Sequence, residues 1–195
     1  LVFIPVVGEL EMCGNKPLIY YTIKRALEAK HVNRVIALTD NEKTAKICKE
    51  LGAEAPFLRP QELSSDISSI QDVLKFGLSK LNEENYYPDL CVVLYKNYPL
   101  RPPGLIDDFI ERFVREGADS MIPMKEEGRA IWKKSNDDIQ NINPLMPRNL
   151  KKNQFLVSHF GLGFVTRTNF IVDGTLGLDG KIYSYSIKDP LSSLE

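Results

Sequence analysis

Three residues of this chain follow apolar segments in positions that suit the binding of an anion. Gly8 comes directly after an apolar run, where a residue without a side chain lets the main chain approach a phosphate closely. Arg59 follows the short apolar segment Ala55–Leu58, and Arg101 ends the polar loop that follows the run Leu90–Leu94. A guanidinium so placed can hold a phosphate or a carboxylate through two parallel hydrogen bonds. These residues predict an anion site, although a plain glycine turn and capping or surface arginines would explain them too.

The polar loop after Leu90–Leu94 is a candidate for substrate contact. It reads YKNYPLRPP over residues 95–103, and three prolines restrict its backbone. Such a loop is either a rigid substrate platform or a stiff connector. His159, which lies between Ser158 and Phe160, is a second candidate, but no Ser–His–Asp set can be assembled from the sequence alone.

The glycine segment is a weak signal by itself. Between Gly8 and the helical pattern that begins near Pro17 there is neither G-x-G-x-x-G nor the G-K-[ST] ending of a P-loop. The segment also carries Glu9 and Glu11. Two unit charges about 4 Å apart interact by roughly 4 kcal/mol at an effective dielectric of about 20. Because both glutamates would repel a triphosphate, we expect this segment to hold one poorly.

The composition argues against several classes of function. The chain has 195 residues, is 43% hydrophobic and has a formal net charge of -1, so no overall field attracts nucleic acid. Its three cysteines are far apart and form no C-x-x-C pair, which disfavours a disulfide framework or a cysteine zinc site and favours a cytoplasmic protein. No apolar run approaches the roughly 20 residues that a membrane span needs. We therefore expect neither nucleic acid nor membrane as a partner.

Apolar, β-branched runs alternate with helical patterns along most of the chain. The predicted N-caps are Asp40 for the second helix and Asp66 or Ser68 for the third. The alternation predicts an α/β fold with a mainly parallel sheet, helices on both faces, and ligands at the carboxyl ends of the strands. The predicted strands are 1–7, 34–39, 55–58, 90–94, 120–124, 162–165 and 181–187, and the predicted helices are 18–27, 41–51, 68–81 and 105–116.

Residues 125–153 interrupt this alternation. The segment is polar and loop-like, and Trp132 in it is followed by two lysines. We predict that it is an arm or a subunit-contact excursion from a single domain that spans residues 1–195.

Several stretches together resemble one family, the acylneuraminate cytidylyltransferases, which include CMP-N-acetylneuraminate synthetase and the CMP-Kdo synthetases. They follow the family's order over the first two-thirds of the chain, and the part from Thr39 to Asp66 is highly specific. The matching stretches are IP at 4–5, GNKPLIYYTIKRALEA at 14–29, RVIALTDNEKTAKICKELGAEAPFLRPQELSSDISSIQDVL at 34–74, PLR at 99–101 and GADSMIPM at 117–124.

The resemblance implies a Rossmann-like nucleotidyltransferase fold and an activity. The anomeric hydroxyl of a 2-keto sugar acid would attack the α-phosphorus of CTP with the help of Mg²⁺, so that pyrophosphate leaves and a CMP-sugar forms. It also implies a homodimer in which the arm at 125–153 reaches the neighbouring subunit. The implied contacts are Gly8, Arg59, Asp66 and Arg101 for the nucleotide, and Tyr95, Asn97, Arg148 and His159 for the sugar acid.

The chain also departs from this family. The family's phosphate-binding loop has the form A-R-G-G-S-K-G-x-x-x-K-N, whereas here Val7 stands for the arginine and the loop is shorter. Tyr95 replaces a glutamine that contacts the sugar, and the metal-binding aspartates of a D-x-D would fall at or beyond residue 192, so we expect no Mg²⁺ ligands in this chain. The chain is therefore either an active cytidylyltransferase-like enzyme or an impaired homologue that binds a sugar nucleotide or a partner protein. A separate explanation for the short loop is that residues are missing between Gly8 and Lys16.

Overall fold

The structure, a computed structural model, describes residues 1–65, 68–135, 138–142 and 155–194. Two of the predicted site residues, Asp66 and Arg148, lie outside these ranges. The strands are β1 (Val2–Val6), β2 (Met12–Cys13), β3 (Lys16–Pro17), β4 (Val35–Thr39), β5 (Leu90–Val93), β6 (Ser120–Glu127), β7 (Trp132–Ser135), β8 (Asp138–Asn141), β9 (Phe155–Ser158), β10 (Phe164–Arg167) and β11 (Ile182–Ser186). The helices are α1 (Ile19–Leu27), α2 (Glu42–Glu50), α3 (Ile70–Glu83), α4 (Leu105–Glu116) and α5 (Thr168–Asp173).

The central sheet positions the candidate site. Its strands lie in the order β11-β6-β10-β5-β1-β4, and β9 pairs with β6 outside this row. β1 runs parallel to β4 and β5, and β11 runs parallel to β6, whereas β10 is antiparallel to β5 and β6. The chain passes from β1 to β4 on one side and returns to β5 on the other, so β1 lies at a topological switch point, where such sheets bind ligands. The predicted α/β fold is confirmed.

Both faces of the sheet are covered by helices because the side chains of β1 alternate in direction. Val2 and Ile4 pack with apolar residues of α1 and α4 on one face, and Phe3 packs with apolar residues of α3 on the other. A β-carbon at Gly77 of α3 would lie 2.8 Å from Phe3 Cζ, so glycine lets this helix approach the sheet closely. The result is a three-layer arrangement with an apolar core on each side of the sheet.

The predicted strand at 55–58 is wrong. In this region only Glu54 bridges to Ile36, and residues 55–58 form no strand. Pro56 and Pro60 lack the N–H that a sheet ladder requires, which explains why the pairing stops. The segment instead runs as an irregular connection that brings Arg59 to the end of β4, where its N–H donates to the Thr39 carbonyl at 2.7 Å.

Two predicted helix caps are also wrong. The side chain of Asn41, and not that of Asp40, accepts the Thr44 N–H at the start of α2. Ser69, rather than Asp66 or Ser68, is the N-cap of α3 and accepts from the Asp72 N–H. Neighbouring polar residues have similar capping preferences, so the sequence alone does not choose between them.

Residues 12–17, in the segment that follows Gly8, form a short hairpin of β2 and β3. Met12 pairs with Pro17, and the Leu18 N–H donates to the Glu11 carbonyl at 2.7 Å. The hairpin thus connects the end of β1 to the start of α1.

Part of the predicted polar arm is regular structure. β6 continues as far as Glu127 and pairs with β9, and β7 and β8 form a separate antiparallel pair. The remainder of the segment, 143–153, lies outside the described residues. The predicted strand at 162–165 is shifted, since a 3-10 helix at Phe160–Leu162 precedes β10.

Candidate functional site

A cleft of about 300 Å³ opens at the carboxyl ends of β1 and β5. Pro5 and Val6 of β1 contribute to its lining, Arg59 comes from the connection after β4, and Tyr95 and Lys96 follow β5. Among the described lining residues there are two cations and no carboxylate, so the lining favours an anion. The other described lining residues are Val7, Leu63, Ser65, Ser68, Ile70 and Val73.

Arg59 has the geometry of an anion-binding residue. It is 6% exposed, and its Nε donates to Ser64 Oγ at 3.4 Å. Among the described residues its two terminal nitrogens have no hydrogen-bond partner. Burial lowers the pKa of Arg59, while the nearby charge of Asp40 raises it. A buried guanidinium with both terminal NH₂ groups left over at a cleft can bind a phosphate or a carboxylate in the bidentate manner.

Gly8 is anchored by α2 and its N-terminal flank. Its N–H donates to Asp40 Oδ1 at 3.0 Å, and its carbonyl accepts from Thr44 Oγ1 at 2.7 Å. Its φ of +67° is in the left-handed region that favours glycine. The predicted main-chain contact with a phosphate would have to compete with Asp40 for the Gly8 N–H.

Arg101 braces the loop that follows β5 and has no donor left for a nucleotide. It is 1% exposed, and burial lowers its pKa to about 9, so it stays cationic at neutral pH. The anion contact that the resemblance implies for Arg101 would require some of its hydrogen bonds within the protein to open. Its guanidinium donates to the carbonyls of Tyr95, Tyr98, Gly161 and Leu162 and to the hydroxyl of Thr22, at distances from 2.5 to 2.8 Å.

The loop after β5 brings Tyr95 to the cleft. Its N–H donates to the Gly161 carbonyl at 2.8 Å, and a β-carbon at Gly161 would lie 2.6 Å from Tyr95 Cδ2. Burial raises the pKa of the Tyr95 phenol. Asn97 is half-buried in the same loop and is not among the described residues that line the cleft.

His159 lies beside this loop and outside the described lining of the cleft. The His159 ring meets that of Tyr98 edge to face, with 6.3 Å between the centroids. The main-chain N–H of His159 donates to the Pro123 carbonyl at 2.8 Å. Its Nδ1 is buried and has no hydrogen-bond partner within the described part of the chain.

Lys96 is a candidate that the sequence reasoning missed. It lines the cleft, and its Nζ donates to the Glu11 carboxylate. The hydrogen bond from Lys96 lowers the pKa of Glu11. One of the two glutamates expected to repel a triphosphate is therefore neutralised by an ion pair. A lysine in a polar loop directly after a buried strand was the signal that could have found it.

A resident metal ion does not fit the described residues. They contain no group of three His, Cys, Asp or Glu side chains that could hold one. None of the helices in the described ranges is long and apolar enough to cross a membrane.

A parallel-strand switch point with a cation-lined cleft is typical of α/β proteins that bind an anionic ligand at the carboxyl edge of the sheet. A model of the cytidylyltransferase family matches residues 9–147, and the chain belongs to this family. This confirms the resemblance seen in the sequence.

Known relatives share only part of their length with this chain. It is 31% identical over 101 residues to the pseudaminic acid cytidylyltransferase of Campylobacter jejuni, covering 52% of this chain and 44% of that protein. It is 28% identical over 100 residues to the CMP-N,N'-diacetyllegionaminic acid synthase of Legionella pneumophila, covering 51% and 43%. The chain thus spans less than half the length of these curated relatives.

A solved CMP-2-keto-3-deoxy-manno-octonic acid synthetase complexed with CTP has a similar fold. Its TM-score is 0.66 at 15% sequence identity, and the match covers 96% of this chain and 90% of that chain.

Proposed function

We propose that this protein transfers CMP from CTP to a sialic-acid-like or other 2-keto sugar acid, with release of pyrophosphate. The observation that carries the proposal is the cleft at the switch point, whose described lining holds Arg59 and Lys96 and no carboxylate. CTP and a sugar acid are both anions, and such a lining stabilises them. The names of the two relatives, which refer to pseudaminic and legionaminic acids, support a nonulosonic acid as the acceptor class.

The proposed reaction is an in-line displacement at phosphorus. A bond forms from the anomeric oxygen to the α-phosphorus, the bond to the pyrophosphate oxygen breaks, and the hydroxyl proton is released. The protein contributes mainly by positioning the reactants and neutralising charge. Arg59 would hold an anionic group, while Tyr95, Asn97 and His159 would face the sugar acid. Gly8, and Asp66 and Arg148 outside the described residues, remain proposed contacts.

Mg²⁺ is part of the proposal because the chain belongs to the cytidylyltransferase family. Cytidylyltransferases generally use a divalent metal, which would neutralise phosphate charge when bound. The described residues offer no three-ligand group for it, so its place in the reaction is not tied to any named side chain.

Pyrophosphate release tests the function. The protein is incubated with CTP, Mg²⁺ and a panel of 2-keto sugar acids, and CMP-sugar formation is followed in parallel. We expect release with at least one acid, and the Arg59→Gln variant should bind CTP about tenfold more weakly because a charge-assisted contact is lost. Arg115→Gln, which removes an exposed guanidinium at the far end of α4, should bind CTP as the wild type does.

No release with any acid, together with measurable binding of a CMP-sugar, would replace this function with that of a non-catalytic sugar-nucleotide binder. Equal CTP affinity in Arg59→Gln and the wild type would remove Arg59 from the site.

We further propose a cytoplasmic homodimer that uses the β7–β8 pair. Trp132 and Ile139 are 54% and 61% exposed. Trp132 is two residues before Lys134, which pairs with Ile139, so Trp132 and Ile139 lie on the same face of the pair. Two large apolar side chains on one exposed face support a role in subunit contact. The three cysteines of the chain are free thiols, which supports a reducing compartment.

A further inference from the structure

Lys96 connects two parts of the molecule, the cleft and the hairpin formed by β2 and β3. Its side chain lines the cleft, yet its Nζ is bound to Glu11, which lies directly before β2 and is not among the described lining residues. The Lys96 side chain is 21% exposed, whereas that of Glu11 is 64% exposed. The second cation of the cleft is therefore held at the rim by an acid outside the cleft.

The hairpin fixes the position of this acid. The Glu11 carbonyl accepts from the Leu18 N–H at 2.7 Å, and Met12 pairs with Pro17 next to it. The carboxylate is thus presented from a closed backbone loop just before α1. The hydrogen bond from Lys96 lowers the pKa of Glu11, which favours the ionised carboxylate that this pair requires.

We propose that Lys96 is a second phosphate-binding cation of the cleft, which Glu11 holds until a triphosphate displaces it. This inference rests on the proposed function and adds to it a residue and an exchange of partners. Lys96 is then a contact for the phosphates of CTP, and Glu11 is a competitor that sets the affinity.

The exchange is physically easy. An ion pair whose carboxylate is exposed contributes little free energy, since water solvates that carboxylate when the pair opens. A lysine carries its charge on a flexible stem of four carbons and can turn from one partner to another. A triphosphate bears more negative charge than one carboxylate, and Arg59 in the same lining would hold it at a second point.

A variant cycle tests the exchange. The affinities of CTP and of inorganic triphosphate are measured by calorimetry for the wild type, Glu11→Gln, Lys96→Met and the double variant. We expect Glu11→Gln to bind both probes about two- to fivefold more tightly, because the competitor is removed while the cation stays. Lys96→Met should bind them about tenfold more weakly, and in its background Glu11→Gln should bring no gain.

Two further variants separate Lys96 from a general effect of charge. Glu9→Gln removes the same charge from an exposed neighbour in the same segment and should change affinity less than twofold. Lys96→Arg keeps a cation and should retain most of the affinity. Circular dichroism and thermal melting confirm that each variant is folded.

The proposal is overturned if folded Glu11→Gln binds no more tightly than the wild type, or if its gain persists in Lys96→Met. Failure of the wild type to bind inorganic triphosphate overturns it as well. The outcome is separable from that of the proposed function, which is read from pyrophosphate release. If the affinities change as expected but no pyrophosphate is released, only the proposed function is overturned. If pyrophosphate is released but the four variants bind the probes equally, only the role of Lys96 is overturned.

Discussion

Arg59 and Arg101 are both buried arginines that lie in connections at the carboxyl ends of the strands, but their hydrogen bonds differ. Arg101 uses its guanidinium on four main-chain carbonyls and one hydroxyl. Arg59 has a single side-chain hydrogen bond, to Ser64, within the described part of the chain. The first arginine therefore stabilises the loop that bears Tyr95, and the second is available to a ligand.

This difference predicts different effects on stability. Arg101→Met should lower the free energy of unfolding by about 3 kcal/mol or more, because several buried carbonyls lose their donor. Arg59→Met leaves fewer acceptors unsatisfied and should cost less than half as much. Urea denaturation of both variants measures the two values. A loss for Arg101→Met that does not exceed the loss for Arg59→Met would contradict the bracing role.

At the scale of elements, the start of α2 links the fold to the cleft. Asn41 caps the helix, while its neighbour Asp40 accepts from the Gly8 N–H. Thr44 in the first turn donates its hydroxyl to the Gly8 carbonyl. The end of β1 and the start of α2 therefore hold each other at the sheet edge where the cleft lies.

The N-cap of α2 predicts the effect of a substitution at Asn41. Asn41→Ala should lower the free energy of unfolding by about 1 kcal/mol, since the Thr44 N–H loses its acceptor. Lys46→Ala, at an exposed position in the middle of the same helix, should be nearly neutral. Chemical denaturation provides both values. If the two variants were equally stable, Asn41 would not act as the cap.

At the scale of the whole molecule, the β7–β8 pair stands apart from the central sheet. It forms a two-stranded sheet of its own, and all the residues of both strands are exposed. A two-stranded pair by itself is marginal in water. A second copy of the chain packed against its apolar face would give it support.

The proposed homodimer predicts a concentration-dependent mass. Ile139→Lys should shift sedimentation towards the monomer, because it places a charge on the face shared with Trp132. Val114→Lys makes the same kind of change at a 60% exposed position on α4 and should leave the mass unchanged. A wild-type protein that stays monomeric at high micromolar concentration would rule out this interface.

The features that sequence alone determined are those with a local signature. The continuous apolar run of β1 and the helical spacing in α1 to α4 define an α/β chain, since a buried strand and an amphipathic helix each have their own local pattern. The placement of Tyr95 after the buried strand β5 predicted the edge at which the cleft lies. The strand at 55–58 failed for a local reason as well, because Pro56 within it and Pro60 after it outweigh the apolar pattern.

The tertiary structure decided which charged groups are available. The ion pair of Glu11 and Lys96 joins residues 85 positions apart, and Arg101 reaches the Gly161 carbonyl across 60 positions. No local pattern encodes such pairs, because their geometry depends on how β5, the hairpin and the turn before β10 pack together. A sequence shows where a cation is, but only the folded chain shows whether a carboxylate or a carbonyl has already engaged it.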